Sequence, residues 1–130
     1  SERKYQIESG GQWVKGKSSD TFGPLGPWLV TTDEVPNPQR LNVWLDVNGE
    51  RMQEETTKDM IFSCAEIISY LSNMITLHPG DVIYSGTLSG VGLGMKPKPK
   101  FLKPGDVITM GIDGLGEHKN KVVSWNGKSK

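Results

Sequence analysis

One run of alternating residues constrains the fold more than anything else in the chain. Leu41, Val43, Leu45 and Val47 alternate with Asn42, Trp44 and Asp46. That period places the first set on one face of a β-strand. Asn48-Gly49 follows at once. Both residues tolerate the left-handed backbone of a two-residue type I′ turn, so the chain must reverse here. Residues 51–55 are then predicted to return as the second strand of a hairpin.

A second constraint is an internal echo. Leu77-His78-Pro79-Gly80-Asp81-Val82-Ile83 resembles Leu102-Lys103-Pro104-Gly105-Asp106-Val107-Ile108. In each copy Pro-Gly suits the centre of a type II turn, and an apolar strand is expected after it. Two copies are too few for a solenoid, so one turn-strand unit is used twice. Further strands are predicted over residues 27–31 and 119–125. Ser63-Cys64-Ala65-Glu66 has capping-box form. Ile67, Ile68, Leu71, Met74 and Ile75 follow at helical spacing, which predicts one helix over residues 64–73. Residues 1–26 are polar and Gly-rich, and read as a long irregular opening. The 16 glycines and 8 prolines are scattered as turn punctuation. The expectation is a single domain over residues 1–130, mainly β with one helix (α+β) and with six or more strands in a sandwich or roll.

Lys+Arg and Asp+Glu both number 15, so the net charge is zero. That gives no electrostatic case for nucleic acid or an anionic membrane. No apolar run approaches the ~20 residues of a membrane span. One cysteine, Cys64, excludes an internal disulfide and fits a reducing, cytoplasmic setting. It is read as a core residue of the helix. The chain opens Ser1-Glu2 with no signal-peptide pattern and no Met, so upstream material is expected.

Gly11 to Ser18 matches the P-loop pattern Gly-x-x-x-x-Gly-Lys-Ser/Thr. A P-loop needs a buried strand before it and a helix after it. Residues 3–10 are largely polar, and Phe22-Gly23-Pro24-Leu25-Gly26-Pro27 cannot be helical, so nucleotide binding is rejected. What survives is Lys17 in a Gly-rich loop followed by Ser18, Ser19, Asp20 and Thr21. Its ammonium could face a carboxylate or a developing oxyanion, although spacing alone favours a surface lysine. Residues 86–94, Gly-Thr-Leu-Ser-Gly-Val-Gly-Leu-Gly, are expected to follow directly on a strand. They match neither the nucleophile elbow nor the dinucleotide fingerprint. A ligand loop and a flexible hairpin connection are equally open readings. His78 and His118 lack ligand spacing, Glu54 and Glu55 read as solvated, and the four tryptophans read as core or interface residues.

Several segments occur in a recognisable order. They are Ser1-Glu2-Arg3-Lys4-Tyr5-Gln6, Lys15-Gly16-Lys17-Ser18-Ser19-Asp20-Thr21 running on to Trp28, Pro79-Gly80-Asp81-Val82-Ile83-Tyr84-Ser85-Gly86-Thr87, and Gly90-Val91-Gly92. In this the chain resembles the fumarylacetoacetate hydrolase family over nearly its whole length. Bacterial members of that family include ureidoglycolate lyases, acylpyruvate hydrolases and 2-hydroxyhepta-2,4-diene-1,7-dioate isomerases.

The resemblance implies a mixed β-sandwich roll, here incomplete at its N-terminal side. It implies a C-terminal portion of a catalytic domain, a homodimer, and a hydrolase, lyase or isomerase acting on 2-oxo acids or 1,3-dicarbonyls. Catalysis would run through an enolate stabilised by Mg²⁺ or Mn²⁺. The metal carboxylates, a Glu-x-Glu pair and an Asp, would lie upstream of Ser1 together with a water-activating lid, so the isolated chain is expected to be inactive. By match, Gln6 would touch substrate, and Lys17 would sit beside metal and substrate oxygens as the catalytic cation. Thr21 would support the metal shell, and Thr87 with Gly86 would bind the substrate carboxylate. Gly10 stands where some members carry a substrate-contacting Tyr. The alternative is a non-catalytic β-domain serving as a binding or oligomerisation module.

Overall fold

The computed structural model describes residues 1–125. They fall into two compact units: Ser1–Gly26 with Trp125, and Pro27–Ser124.

The larger unit is built on one four-stranded antiparallel sheet of order β2-β1-β3-β4. Its strands are β1 (Asn42–Val47), β2 (Glu50–Thr56), β3 (Val107–Ile112) and β4 (Gly116–Lys121). The predicted hairpin is present. Asn48 (φ 53) and Gly49 (φ 83) both occupy the left-handed region, as a type I′ turn demands. The alternating strand β1 lies inside the sheet, paired to β2 on one side and to β3 on the other.

The β1–β3 register is locked at both ends by Asn–Asp pairs. At one end the Asn48 side chain donates to Asp106 Oδ1 (2.9 Å) and accepts from the Val107 amide (2.8 Å). The Asn48 amide also donates to the Val107 carbonyl (2.8 Å). At the other end the Asn42 side chain donates to Asp113 Oδ2 (2.7 Å), and the Asp113 amide donates to the Asn42 carbonyl (3.1 Å). The ladder runs from Val43↔Ile112 to Val47↔Ile108; Asn42 and Asp113 sit one step beyond one end, and Asn48 and Asp106 lie one and two residues beyond the other. A one-residue slip would break both pairs and invert every face.

The two Pro-Gly units form the same turn. Gly80 (φ 99) and Gly105 (φ 100) follow their prolines. The amides of Asp81 and Asp106 donate to the carbonyls of His78 and Lys103 (3.0 and 3.1 Å). Each Asp carboxylate in turn accepts from the amide at the start of its turn (2.7 and 2.9 Å). The sequels differ. The second unit runs into β3, whereas residues 82–85 join no strand among the described residues. A turn sets direction, but a strand also needs a neighbour for its backbone hydrogen bonds. The strand expected before Gly86 is therefore not formed.

Other expectations are corrected in the same way. Residues 27–31 form no strand. Pro27 lacks an amide donor, and Trp28 lies against Gly116, where an added Cβ would come within 2.7 Å of the indole. The last strand ends at Lys121 and does not reach Trp125. The described residues contain four strands and not six, and two α-helices and not one. The α+β class holds.

Helix α2 (Cys64–Ser72) has the predicted capping box, with Ser63 and Glu66 exchanging hydrogen bonds. Gln39 ties its start to the hairpin, accepting from the Cys64 amide (2.7 Å) and donating to the Thr57 carbonyl (3.2 Å).

In the smaller unit the opening is more ordered than its polarity suggests. It holds α1 (Arg3–Glu8) and a 3-10 turn, Trp13–Gly16. The P-loop-like motif is thus preceded by a helix and leads into none, which agrees with its rejection.

Among the described residues no hydrophobic side chain is fully buried, and the buried polar ones are Gln6 and Asp106. The tryptophans are not core residues. Trp44 and Trp13 each carry an arginine over the ring, Arg51 at 4.6 Å and Arg3 at 5.1 Å.

The clamp makes a pH prediction. The hydrogen bond from Asn48, and next that from the Lys103 amide, hold the Asp106 carboxyl below its ordinary value. A depressed folded pKa stabilises the fold above the unfolded pKa, about pH 4. That contribution is lost as pH falls through the folded value. Asp106→Asn should flatten the acid limb of a stability–pH profile measured by urea unfolding, and Asn48→Ala should cost about 2 kcal/mol at neutral pH. An unaltered acid limb in Asp106→Asn would remove Asp106 from the account.

Candidate functional site

The site residues expected from the sequence fall in both units, and each set is built locally.

In the smaller unit Glu2 caps α1 by accepting from the Lys4 amide (2.9 Å). The 3-10 turn packs so closely on α1 that a Cβ on Gly16 would overlap the Glu2 carbonyl and the Gln6 side chain. The Glu2 amide donates to the Gly16 carbonyl (2.8 Å). Only glycine permits that approach, and it delivers the next residue, Lys17, to the end of the turn. The Lys17 amide closes the turn on Val14 (2.9 Å), and its ammonium donates to the Ser1 hydroxyl (3.1 Å) at an exposed position. Ser18 donates to the Val14 carbonyl (2.9 Å).

Thr21 has φ 67. A β-branched residue in that region is strained by about 1–3 kcal/mol, a feature that clusters at functional sites. Gln6 is 1 % exposed. Its amide nitrogen reaches the Trp13 carbonyl at 3.4 Å, and its Oε1 is buried without a hydrogen-bond partner.

In the larger unit the glycine loop docks on edge strand β2. Gln53 Nε2 lies 3.3 Å from Thr87 Oγ1, 2.9 Å from the Leu88 carbonyl and 2.7 Å from the Ser89 carbonyl. The Ser89 hydroxyl donates to Glu55. A Cβ on Gly90 would overlap the Met52 carbonyl, and one on Gly92 would overlap the Lys100 carbonyl. The Lys100 amide donates to the Gly92 carbonyl (2.9 Å), and its ammonium pairs with Glu50 (3.0 Å). These glycines permit close backbone docking, so residues 86–94 are not a free connection. Gly86 has φ 113 and an open Cβ direction.

A β-bulge makes this docking possible. Leu45 pairs with Gln53, but Asp46 pairs with Arg51, so Met52 is the extra residue. The bulge sends Arg51 to the Trp44–Asp46 face, where it bonds Asp46 and pairs with Glu54 (3.0 Å). Gln53 and Glu55 remain on the opposite face for the loop. Glu54 is solvated, as expected, whereas Glu55 is half-buried against Ser89. Sequence reasoning missed Gln53 and Glu55, because partners 34 to 36 residues away leave no local spacing signal.

Cys64 lines an apolar cleft of about 200 Å³ with Ile67, Ile68, Ile83 and Ser85. It is half-buried. No group of three or more His, Cys, Asp or Glu side chains among the described residues could hold a metal ion. His118 stands on β4 and His78 in the first Pro-Gly turn. The described residues therefore do not by themselves fit a divalent metal. No helix among them is long and apolar enough to cross a membrane.

Close docking distinguishes the glycines. Gly90→Ala should cost about 2–3 kcal/mol, from its overlap with Met52 and its positive φ. Gly94→Ala, whose Cβ would meet only Val91 at 3.9 Å, should cost under about 1 kcal/mol. Paired urea melts check this, and equal losses would count against docking of the loop on β2.

Comparison with known proteins places the chain in a family. A Burkholderia cenocepacia protein named as a hydrolase is 62% identical over 117 residues, which are 90% of this chain and 42% of that protein. The chain thus spans about two-fifths of the length of the curated relatives it matches. Among solved structures, it is similar to a fumarylacetoacetate hydrolase from psychrophilic Exiguobacterium antarcticum, with TM-score 0.89 and 43% identity over 95% of this chain and 43% of that one. It is also similar to a maleylpyruvate hydrolase from Sphingobium sp. SYK-6, solved in complex with manganese(II) ion and pyruvate, with TM-score 0.76 and 37% identity over 87% of this chain and 39% of that one. The family model for the fumarylacetoacetate (FAA) hydrolase C-terminal region matches residues 1–123, and the chain belongs to that family.

Proposed function

We propose that this chain is the C-terminal portion of the catalytic domain of a divalent-metal-dependent hydrolase, lyase or isomerase. Its substrate is a small 2-oxo acid or 1,3-dicarbonyl. The observation that carries the reading is the docked glycine loop, which sets the Thr87 hydroxyl against Gln53 of β2 within a chain of this family. A relative's structure with manganese and pyruvate supports the substrate class and the metal. The non-catalytic alternative is not favoured.

The residues of this chain act on charge and orientation. Thr87, with the Gly86 backbone, binds the substrate carboxylate. Lys17 places an ammonium where an enolate oxygen gains charge. Gln6 offers an unpaired buried carbonyl beside the Lys17 turn, and Thr21 holds the strained end of that loop. The carboxylates that would hold Mg²⁺ or Mn²⁺ would come from the remainder of the longer protein, since no group of three or more His, Cys, Asp or Glu among the described residues could hold the ion. The remainder of the longer protein, and a second copy in a homodimer, would cover apolar side chains as open as Leu29 (93%) and Ile61 (90%). Free Cys64 suits a reducing cytoplasm.

In the full-length protein, Lys17→Ala should lower kcat/KM on an acylpyruvate about 100-fold or more, and chelation should abolish turnover that Mn²⁺ or Mg²⁺ restores. Wild-type activity in Lys17→Ala would remove its catalytic role. Tight Mg²⁺ binding by residues 1–130 alone, measured by titration calorimetry, would contradict the placement of the metal ligands.

A further inference from the structure

We infer that Gln53 is a positioning residue that fixes Thr87 as a hydrogen-bond donor toward the substrate carboxylate, an inference that rests on the reading of Thr87 just given. Three acceptors surround Gln53 Nε2: Thr87 Oγ1, the Leu88 carbonyl and the Ser89 carbonyl, at 3.3, 2.9 and 2.7 Å. The two carbonyls can only accept, so the amide nitrogen and not the amide oxygen must face the loop. Two N–H groups serve these three acceptors, so the longest contact, to Thr87 Oγ1, is a shared one, and it still meets that oxygen with a donor. A hydroxyl that accepts from Gln53 keeps its own proton to donate elsewhere. An ionised carboxylate can only accept, so donation runs one way, from amide to hydroxyl to carboxylate. The last bond is charge-assisted and is strengthened by the first.

The loop offers no competing hydroxyl. Residues 86–94 contain two, on Thr87 and Ser89. The Ser89 hydroxyl is already given to Glu55. Gln53 itself is aimed by the bulge at Met52, which separates its face from that of Arg51. The same Met52 carbonyl abuts Gly90. One irregularity in β2 therefore sets both the height of the loop and the polarity of its hydroxyl.

A residue that merely braced the loop would make the same contacts, so the test must separate bracing from orientation. It uses the full-length protein with Gln53→Ala, Thr87→Val and the double variant, and titrates pyruvate in the presence of Mn²⁺. Gln53→Ala should weaken pyruvate about tenfold. In the Thr87→Val background the same change should matter less than about twofold, because the hydroxyl through which Gln53 acts is gone. Gln53→Glu, whose ionised side chain cannot donate, should be no better than Gln53→Ala. A tenfold loss that persists in the Thr87→Val background, or no loss in either, overturns the inference.

Amide hydrogen exchange over residues 86–90 supplies a readout that needs no ligand. It should speed up about tenfold in Gln53→Ala, and unchanged exchange would also overturn the inference. If the wild-type protein binds no pyruvate, the proposed function fails. The exchange result then decides by itself whether Gln53 holds the loop.

Discussion

Two Asn–Asp pairs hold β1 against β3, and most of the larger unit depends on them. Asn48–Asp106 and Asn42–Asp113 flank the two ends of the same ladder. Sheets with a sealed apolar face are kept in register by burial. Here no hydrophobic side chain among the described residues is fully buried, so directional hydrogen bonds carry more of that task. Asn48 is well suited to it. Its left-handed backbone makes the turn, while its side chain reaches across to Asp106 and Val107. One residue thus joins the β1–β2 reversal to the start of β3.

That fixed register determines what β2 can present. The hairpin leaves β2 at the sheet edge, and the Met52 bulge divides its side chains between two faces. One face is a stack of charge on an aromatic ring, with Arg51 over Trp44 and bonded to Asp46. The other face is a polar cradle in which Gln53 and Glu55 grip the glycine loop. An edge strand normally exposes open hydrogen-bonding groups. Here part of the edge is covered by backbone that only glycine allows so close. The glycine loop is therefore held by its contacts with β2.

The smaller unit uses the same device on another scale. Gly16 lets the 3-10 turn settle on α1, and Lys17 is the first residue beyond the contact. In both units a glycine meets a carbonyl at contact distance, and the residues expected to bind anions lie one to three positions away. The family match spans residues 1–123 and so includes both glycine contacts. The chain spans 42% of its curated relatives, and its described residues lack a metal-ligand group.

The sequence by itself determined every feature written in neighbouring residues. These were the Asn48-Gly49 reversal, the period of β1, both Pro-Gly turns, the Ser63–Glu66 capping box, the rejection of the P-loop and the α+β class. Each depends on backbone preference or on partners within four residues. The tertiary structure decided the rest. Residues 82–85 have strand composition but join no strand among the described residues, and residues 27–31 are diverted by the seat of Trp28 on Gly116. Residues 3–8 form a helix although their pattern is polar, because Gly16 admits close packing against it. Gln53 meets a loop 34 residues away across the face that the bulge separates from Arg51. Such contacts depend on which backbones approach each other, and local spacing does not encode that.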